Sequence, residues 1–210
     1  MALRAFPSLP KHIYLGVNAS PVTILSDGFA SLFDDLPLER IVIELTEHAA
    51  VDDYGSLGMA IDKLRRRGIR LAIDDAGAGY SGLQHILKLR PDLIKLDLAL
   101  TRNIDTDVTR RALASALVNF AGATDCKIIA EGVETEFELQ CLKDLGVQNA
   151  QGYYLGRPSP LSDAQCIASY GRPATSVKRQ PVEEARQARG SLSSEAFVKC
   201  EREYGRPGAA

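Results

Sequence analysis

No apolar run in this 210-residue chain approaches the ~18 residues that a membrane-spanning helix needs. Nor does the stretch Met1 to Pro10 hold the apolar segment of a signal peptide. Cysteine is scarce. Cys126, Cys141, Cys166 and Cys200 are scattered, without the paired spacing of a metal or redox site. They read as free thiols in a reducing compartment, which points to the cytoplasm. Three histidines and these scattered thiols leave no convergent set for zinc. Neither sign of charge dominates: 25 basic against 27 acidic residues give a net charge of -2. Global charge therefore offers no basis for binding a nucleic-acid polymer or a membrane. At 45% hydrophobic and 25% charged, the composition is that of a globular domain.

The charge that is present divides unevenly. Residues 163–210 hold 6 acids and 8 bases, and the remainder holds 21 and 17. The tail is poor in large apolar residues and rich in Arg, Ser, Glu, Pro and Gly, so it is expected to be largely disordered. One short helix is expected there, from Pro181 to Ala188. The division is thus a folded unit over 1–162 and a charged tail over 163–210.

Over residues 13–157, short β-rich runs alternate with helical stretches. The expected strands are Ile13–Asn18, Ile41–Thr46, Arg70–Asp75, Leu93–Asp97, Lys127–Gly132 and Gln151–Leu155. Their near-continuous apolar character suits a parallel sheet buried on both faces. Helices are expected over Asp53–Arg67, Thr109–Ala123 and Glu136–Leu145, two of them stopped by Gly68 and Gly146. Six βα units in succession imply an α/β architecture with right-handed crossovers. An open doubly wound sheet and a TIM-like (β/α) barrel both fit that pattern. The strand ends favour the barrel: Asn18, Glu44, Asp74 with Asp75, Lys95, Glu131 and Gln151 close successive strands. In a barrel all such ends meet at one mouth, whereas an open sheet spreads them along an edge. About six of a barrel's eight units are present.

Singly, each residue has a plain structural reading as a turn, cap or solvated strand end. Jointly, they make an anionic, oxygen-rich site. Carboxylates crowded together repel one another unless cations intervene. Oxygen-only ligation suits Mg²⁺ or Mn²⁺. Two such ions about 4 Å apart can clamp the attacking and leaving oxygens of a displacement at phosphorus. Lys95 adds a positive group beside the developing charge. The residues by themselves therefore suggest metal-assisted phosphodiester hydrolysis.

The ordered motifs resemble those of the EAL domain family. They are Val-Asn18-Ala-Ser, Glu44-Leu-Thr-Glu47, Asp74-Asp75-Ala-Gly77-Ala-Gly79-Tyr80-Ser81, Ile-Lys95-Leu-Asp97, Glu131-Gly-Val-Glu134 and Gln151-Gly-Tyr-Tyr-Leu-Gly-Arg-Pro158. The resemblance implies a bacterial, cytoplasmic signalling phosphodiesterase that opens cyclic di-GMP to linear pGpG. It also implies Asn18, Glu44, Asp74, Asp75 and Glu131 as metal ligands, with Asp74 bridging. Lys95 would orient the attacking water, and Glu131 would share in catalysis. Gln151, Glu134 and Pro158 would line the substrate site. Gly77, Gly79, Tyr80 and Ser81 would form a loop coupling the site to dimerisation, pinned by Glu47. A second EAL domain, an upstream sensor and a GGDEF domain are the partners it implies.

Two departures bear on these expectations. Ala76 stands where the family commonly has Phe. The Glu-Ala-Leu segment that names the family, with its metal-ligating Glu, is not found before Asn18. On that ground the chain alone is expected to be a weak or inactive hydrolase. The alternative is a non-catalytic module that binds cyclic di-GMP or dimerises. A metal-dependent barrel enzyme of the enolate-forming kind shares the residue types but not this order of motifs.

Overall fold

The computed structural model describes residues 14–45, 51–76, 80–157 and 202–203. Its framework is a sheet whose strands follow one another in chain order. The strands are β1 (Leu15–Asn18), β2 (Ile41–Leu45), β3 (Arg70–Ala76), β4 (Leu93–Leu96), β5 (Lys127–Ala130), β6 (Asn149–Ala150) and β7 (Arg202–Glu203). The first six are parallel and curl into a half-barrel, the incomplete TIM-like form that the strand-end residues favour. Helices α1 (Pro21–Leu25), α2 (Tyr54–Arg66), α3 (Tyr80–Leu89), α4 (Leu98–Thr101), α5 (Val108–Ala123) and α6 (Glu136–Asp144) lie in the connections.

Local chemistry sets the helix boundaries. Asp53 does not begin α2; it caps it, accepting hydrogen bonds from the backbone N–H of Gly55 and Ser56. Leu57, Ile61 and Leu64 then form the buried stripe. Gly68, at φ 98°, ends the helix in the left-handed conformation that glycine adopts without a Cβ penalty. Asp107 caps α5 in the same way, and Ala114, Leu117 and Ala121 face inward. α6 opens with a reciprocal capping box between Thr135 and Glu138.

The two faces of the sheet differ in what covers them. Residues of one parity, including Leu15, Ile41, Ile43, Leu45, Leu71, Ile73, Ile94, Leu96 and Ile128, join the main apolar core. The helix residues Leu57, Ile61, Leu64, Leu117 and Leu142 complete that core. Each fully buried Leu or Ile contributes roughly 1.5–3 kcal/mol relative to exposure. The other parity makes a smaller cluster of Val42, Ala72, Leu93 and Ile129, with Tyr14 packed against it. This second layer is the floor of the concave side.

Three features depart from the sequence expectation. The sixth strand is Asn149–Ala150, not Gln151–Leu155. Residues 151–155 turn instead: the N–H groups of Leu155 and Gly156 both donate to the carbonyl of Gly152, closing the chain on itself. α1, α3 and α4 were not expected; α1 and α4 are too short to show a period, and α3 begins inside the stretch assigned to a loop. Finally, the tail contributes β7, which pairs antiparallel with β6, Asn149 opposite Glu203 and Ala150 opposite Arg202. An unpaired strand edge is a liability, and this pairing covers the edge of β6. The expected Pro181–Ala188 helix lies outside the described residues. Among those residues, no helix is long and apolar enough to cross a membrane.

Candidate active site

Side chains alternate across a strand, so residues two apart share a face. Two positions beyond the floor residues Val42, Ala72, Leu93 and Ile129 stand Glu44, Asp74, Lys95 and Glu131. The period therefore sends all four to the concave side, at the C-terminal ends of β2, β3, β4 and β5. Asn18 closes β1 directly opposite Glu44 in register, and the N–H of Ala19 donates to the carbonyl of Glu44 at 3.0 Å.

Lys95 is the hub. Its Nζ lies 3.0 Å from Glu44 Oε2, 2.6 Å from Asp74 Oδ1 and 2.6 Å from Glu131 Oε1. Lys95 and Glu44 are buried, while Asp74 and Glu131 keep 14% and 17% of their side chains exposed. The cluster thus opens to solvent through Asp74 and Glu131. Burial alone would favour the neutral amine. The charges of Glu44, Glu131 and Asp74, with the hydrogen bond to Asp74, outweigh it and hold Lys95 protonated well above the ordinary lysine range.

A bulge in β3 sets Asp74 in place. Ile73 stands opposite Ile94, but the next partner, Leu96, stands opposite Ala76. Two residues, Asp74 and Asp75, therefore oppose the single Lys95. Such bulges re-aim side chains, often beside active sites.

Glu131 is held from the other flank. Gln151 Nε2 donates to Glu131 Oε1. The backbone stitches the two loops together: Gln151 N–H donates to the carbonyl of Ala130 at 2.8 Å, and Val133 N–H to that of Gln151 at 3.0 Å. Gly152 permits this approach, because a Cβ there would overlap the backbone of Val133. Below the loop, buried Glu138 accepts from the N–H groups of Asn103, Glu134 and Thr135. Sequence reading passed over Glu138; its signal was the Thr-x-x-Glu spacing before a helix. Glu134, expected near substrate, forms a 3.0 Å ion pair with Arg102. Asp97, two residues past Lys95, caps α4 through Leu100 N–H.

The structure therefore brings together Glu44, Asp74, Lys95, Glu131 and Gln151, with Asn18 at the neighbouring strand end. The side chains of Asp75, Tyr80 and Ser81 lie outside what is described, as do Glu47, Gly77, Gly79 and Pro158 entirely. Among the described residues no acidic group is preformed around an open cation position. The point on which three carboxylates converge is taken by an ammonium. The donor set nonetheless fits a hard divalent cation. Its ligand atoms are oxygens.

Comparison with known proteins identifies the family. The EAL domain model matches residues 1–158. The chain belongs to the EAL domain family. It is 33% identical over 167 residues to the probable cyclic di-GMP phosphodiesterase PdeA of Escherichia coli, covering 77% of this chain and 23% of that protein. The chain thus spans about a quarter of the length of such curated relatives. Among solved structures, it resembles the EAL domain of Mycobacterium smegmatis DcpA at TM-score 0.73 and 32% identity, over 81% of this chain and 78% of that one. It also resembles Klebsiella pneumoniae BlrP1, solved as a manganese/cy-diGMP complex. There the TM-score is 0.69 and the identity 31%, covering 75% of this chain and 42% of that one. The half-barrel is thus an incomplete form of the fold that these structures share.

Proposed function

We propose that this EAL domain hydrolyses cyclic di-GMP to linear pGpG. One observation carries the reading: carboxylates from three strands meet a buried, protonated lysine at the C-terminal mouth of the half-barrel. That is the end where barrels of this class hold their active sites. The relatives' names and the manganese/cy-diGMP complex of BlrP1 support both substrate and cofactor class.

Glu44, Asp74 and Glu131, with Asn18 and Asp75, would hold Mg²⁺ or Mn²⁺. When bound, such ions polarise a phosphoryl oxygen and acidify a coordinated water. The chain's own residues do the rest. Protonated Lys95 cannot take a proton from water. It donates hydrogen bonds, orienting the attacking oxygen and offsetting negative charge that builds on the phosphate. Glu131, steadied by Gln151 and slightly open to solvent, would accept the water's proton. The new bond joins that oxygen to phosphorus. The bond from phosphorus to one ribose oxygen breaks, and the released oxygen takes up a proton. Gln151, Glu134 and Pro158 would contact the nucleotide beyond the metals. We further propose that the domain acts in the cytoplasm, in association with a second EAL domain or with sensor or GGDEF modules.

A second reading, a cyclic-di-GMP receptor without turnover, is favoured by the ammonium at the point where the carboxylates converge. One experiment separates the two. The chain is incubated with cyclic di-GMP and Mn²⁺ or Mg²⁺; products are resolved by chromatography, and binding is followed by calorimetry. Slow formation of pGpG, lost in Glu131→Gln, is expected. Binding without product would select the receptor. Neither binding nor product would refute both readings.

A further inference from the structure

We propose that Gly16 is a positioning residue for Glu44, and that its missing side chain is the seat of that carboxylate. The argument begins with register. Gly16 on β1 pairs with Val42 on β2, and Asn18 pairs with Glu44. Gly16 and Glu44 are therefore diagonal neighbours on the concave face, a distance that a long side chain spans. The Glu44 side chain leans back across that diagonal. A Cβ built at Gly16 would overlap Glu44 Oε1, lie 3.0 Å from Cδ and 3.8 Å from Cγ. The other carboxylate oxygen, Oε2, receives the Lys95 ammonium at 3.0 Å. One oxygen thus rests over the glycine while the other holds the lysine.

Gly16 has no other evident reason to be glycine. Its φ is not positive, so backbone strain does not require it. Glycine in a strand commonly marks a site where another group approaches closely, and here that group is the Glu44 carboxylate. Overlap with the end of a flexible side chain is cheap where the side chain can swing away. Glu44 is buried and tied to Lys95, so its escape breaks the ion pair. The consequence is that β1 supplies more than Asn18 to this site. Its backbone is the surface against which the carboxylate of β2 is set.

The inference concerns the geometry of the cluster and does not need the proposed hydrolysis to hold. Its test is therefore made first on metal-free protein. Four chains are compared by thermal melting in EDTA: the parent, Gly16→Ala, Glu44→Asp and the double variant. Gly16→Ala is expected to lower the midpoint by about 3–10 °C. In the Glu44→Asp background, whose shorter carboxylate leaves room for a methyl group, the same change should lower it by less than half as much. If Gly16→Ala fails to fold, the double variant should fold. An equal cost in both backgrounds would overturn the proposal, as would no cost in either, or failure of both chains to fold. A second measurement titrates Mn²⁺ calorimetrically. Where the parent binds the ion, Gly16→Ala should weaken it by about 10–100-fold, with partial recovery in the double variant. A parent that binds no Mn²⁺ would count against the catalytic reading while leaving the melting comparison decisive for Gly16.

Discussion

The two faces of the same strands bury ionisable groups in opposite ways. On the helix-covered side, Cys126 sits in the apolar core. Burial, with the nearby charge of Asp92, pushes its thiol up to about 12, so it stays neutral. On the concave side, Lys95 is buried more deeply still but among three carboxylates, and it stays charged. Depth alone therefore does not decide protonation; the neighbours do. One face is an apolar layer whose strength is additive packing. The other is a charge cluster in which each member depends on the rest.

That contrast can be broken most severely at Lys95. Lys95→Met removes the ammonium that three carboxylates share. It is expected to cost about 3–5 kcal/mol in urea denaturation with EDTA present. Mn²⁺ should recover part of that loss. On the other face, Leu57→Ala should cost about 2–5 kcal/mol, since Leu57 is fully buried in the core. Mn²⁺ should recover none of it. If the metal rescued both variants equally, the two faces would not be independent.

The thiol supplies a pH test of intermediate size. Its folded value is raised, so the stability it contributes is intact below about pH 9. That contribution is lost as pH rises toward about 12, because the unfolded thiol ionises first. Cys126→Ala should flatten the fall of the unfolding free energy between pH 9 and 11. An unchanged slope would show that the apolar layer does not hold the thiol neutral. The smallest effect belongs to a helix start that serves the concave side. Thr135→Ala removes the acceptor for Glu138 N–H and should cost about 1 kcal/mol. Thermal melts read that loss. It should leave Mn²⁺ affinity unchanged, because Glu138 still braces the loop through Glu134 and Thr135 N–H.

Much of this arrangement could be read from the letters. The β-branched runs placed five strands to within two residues at either end. The strand-end carboxylates with Lys95 pointed to one mouth because parallel strands carry their ends to the same side. The hub was less visible. Reading each strand as a continuous apolar run hid the alternation that pairs Val42 with Glu44, Ala72 with Asp74, Leu93 with Lys95 and Ile129 with Glu131. Those pairs were the available signal. The bulge at Asp74 and Asp75 could not be read, since two consecutive acids ordinarily point to opposite faces. The sixth strand was misplaced because Tyr153, Tyr154 and Leu155 look strand-like, while Gly152 and its hydrogen bonds impose a turn. Gly16 carried no signal of its own. Its meaning depends on a carboxylate that arrives from another strand.

The extra residue in β3 has a mechanical consequence. Because Asp74 and Asp75 share one partner, the strand gains a residue without gaining length. In a regular ladder Ala76 would stand opposite Asp97; here it stands opposite Leu96. Removing one of the two acids would restore regular pairing between β3 and β4. The second acid and the irregularity in the ladder therefore come together, and neither can be altered without the other.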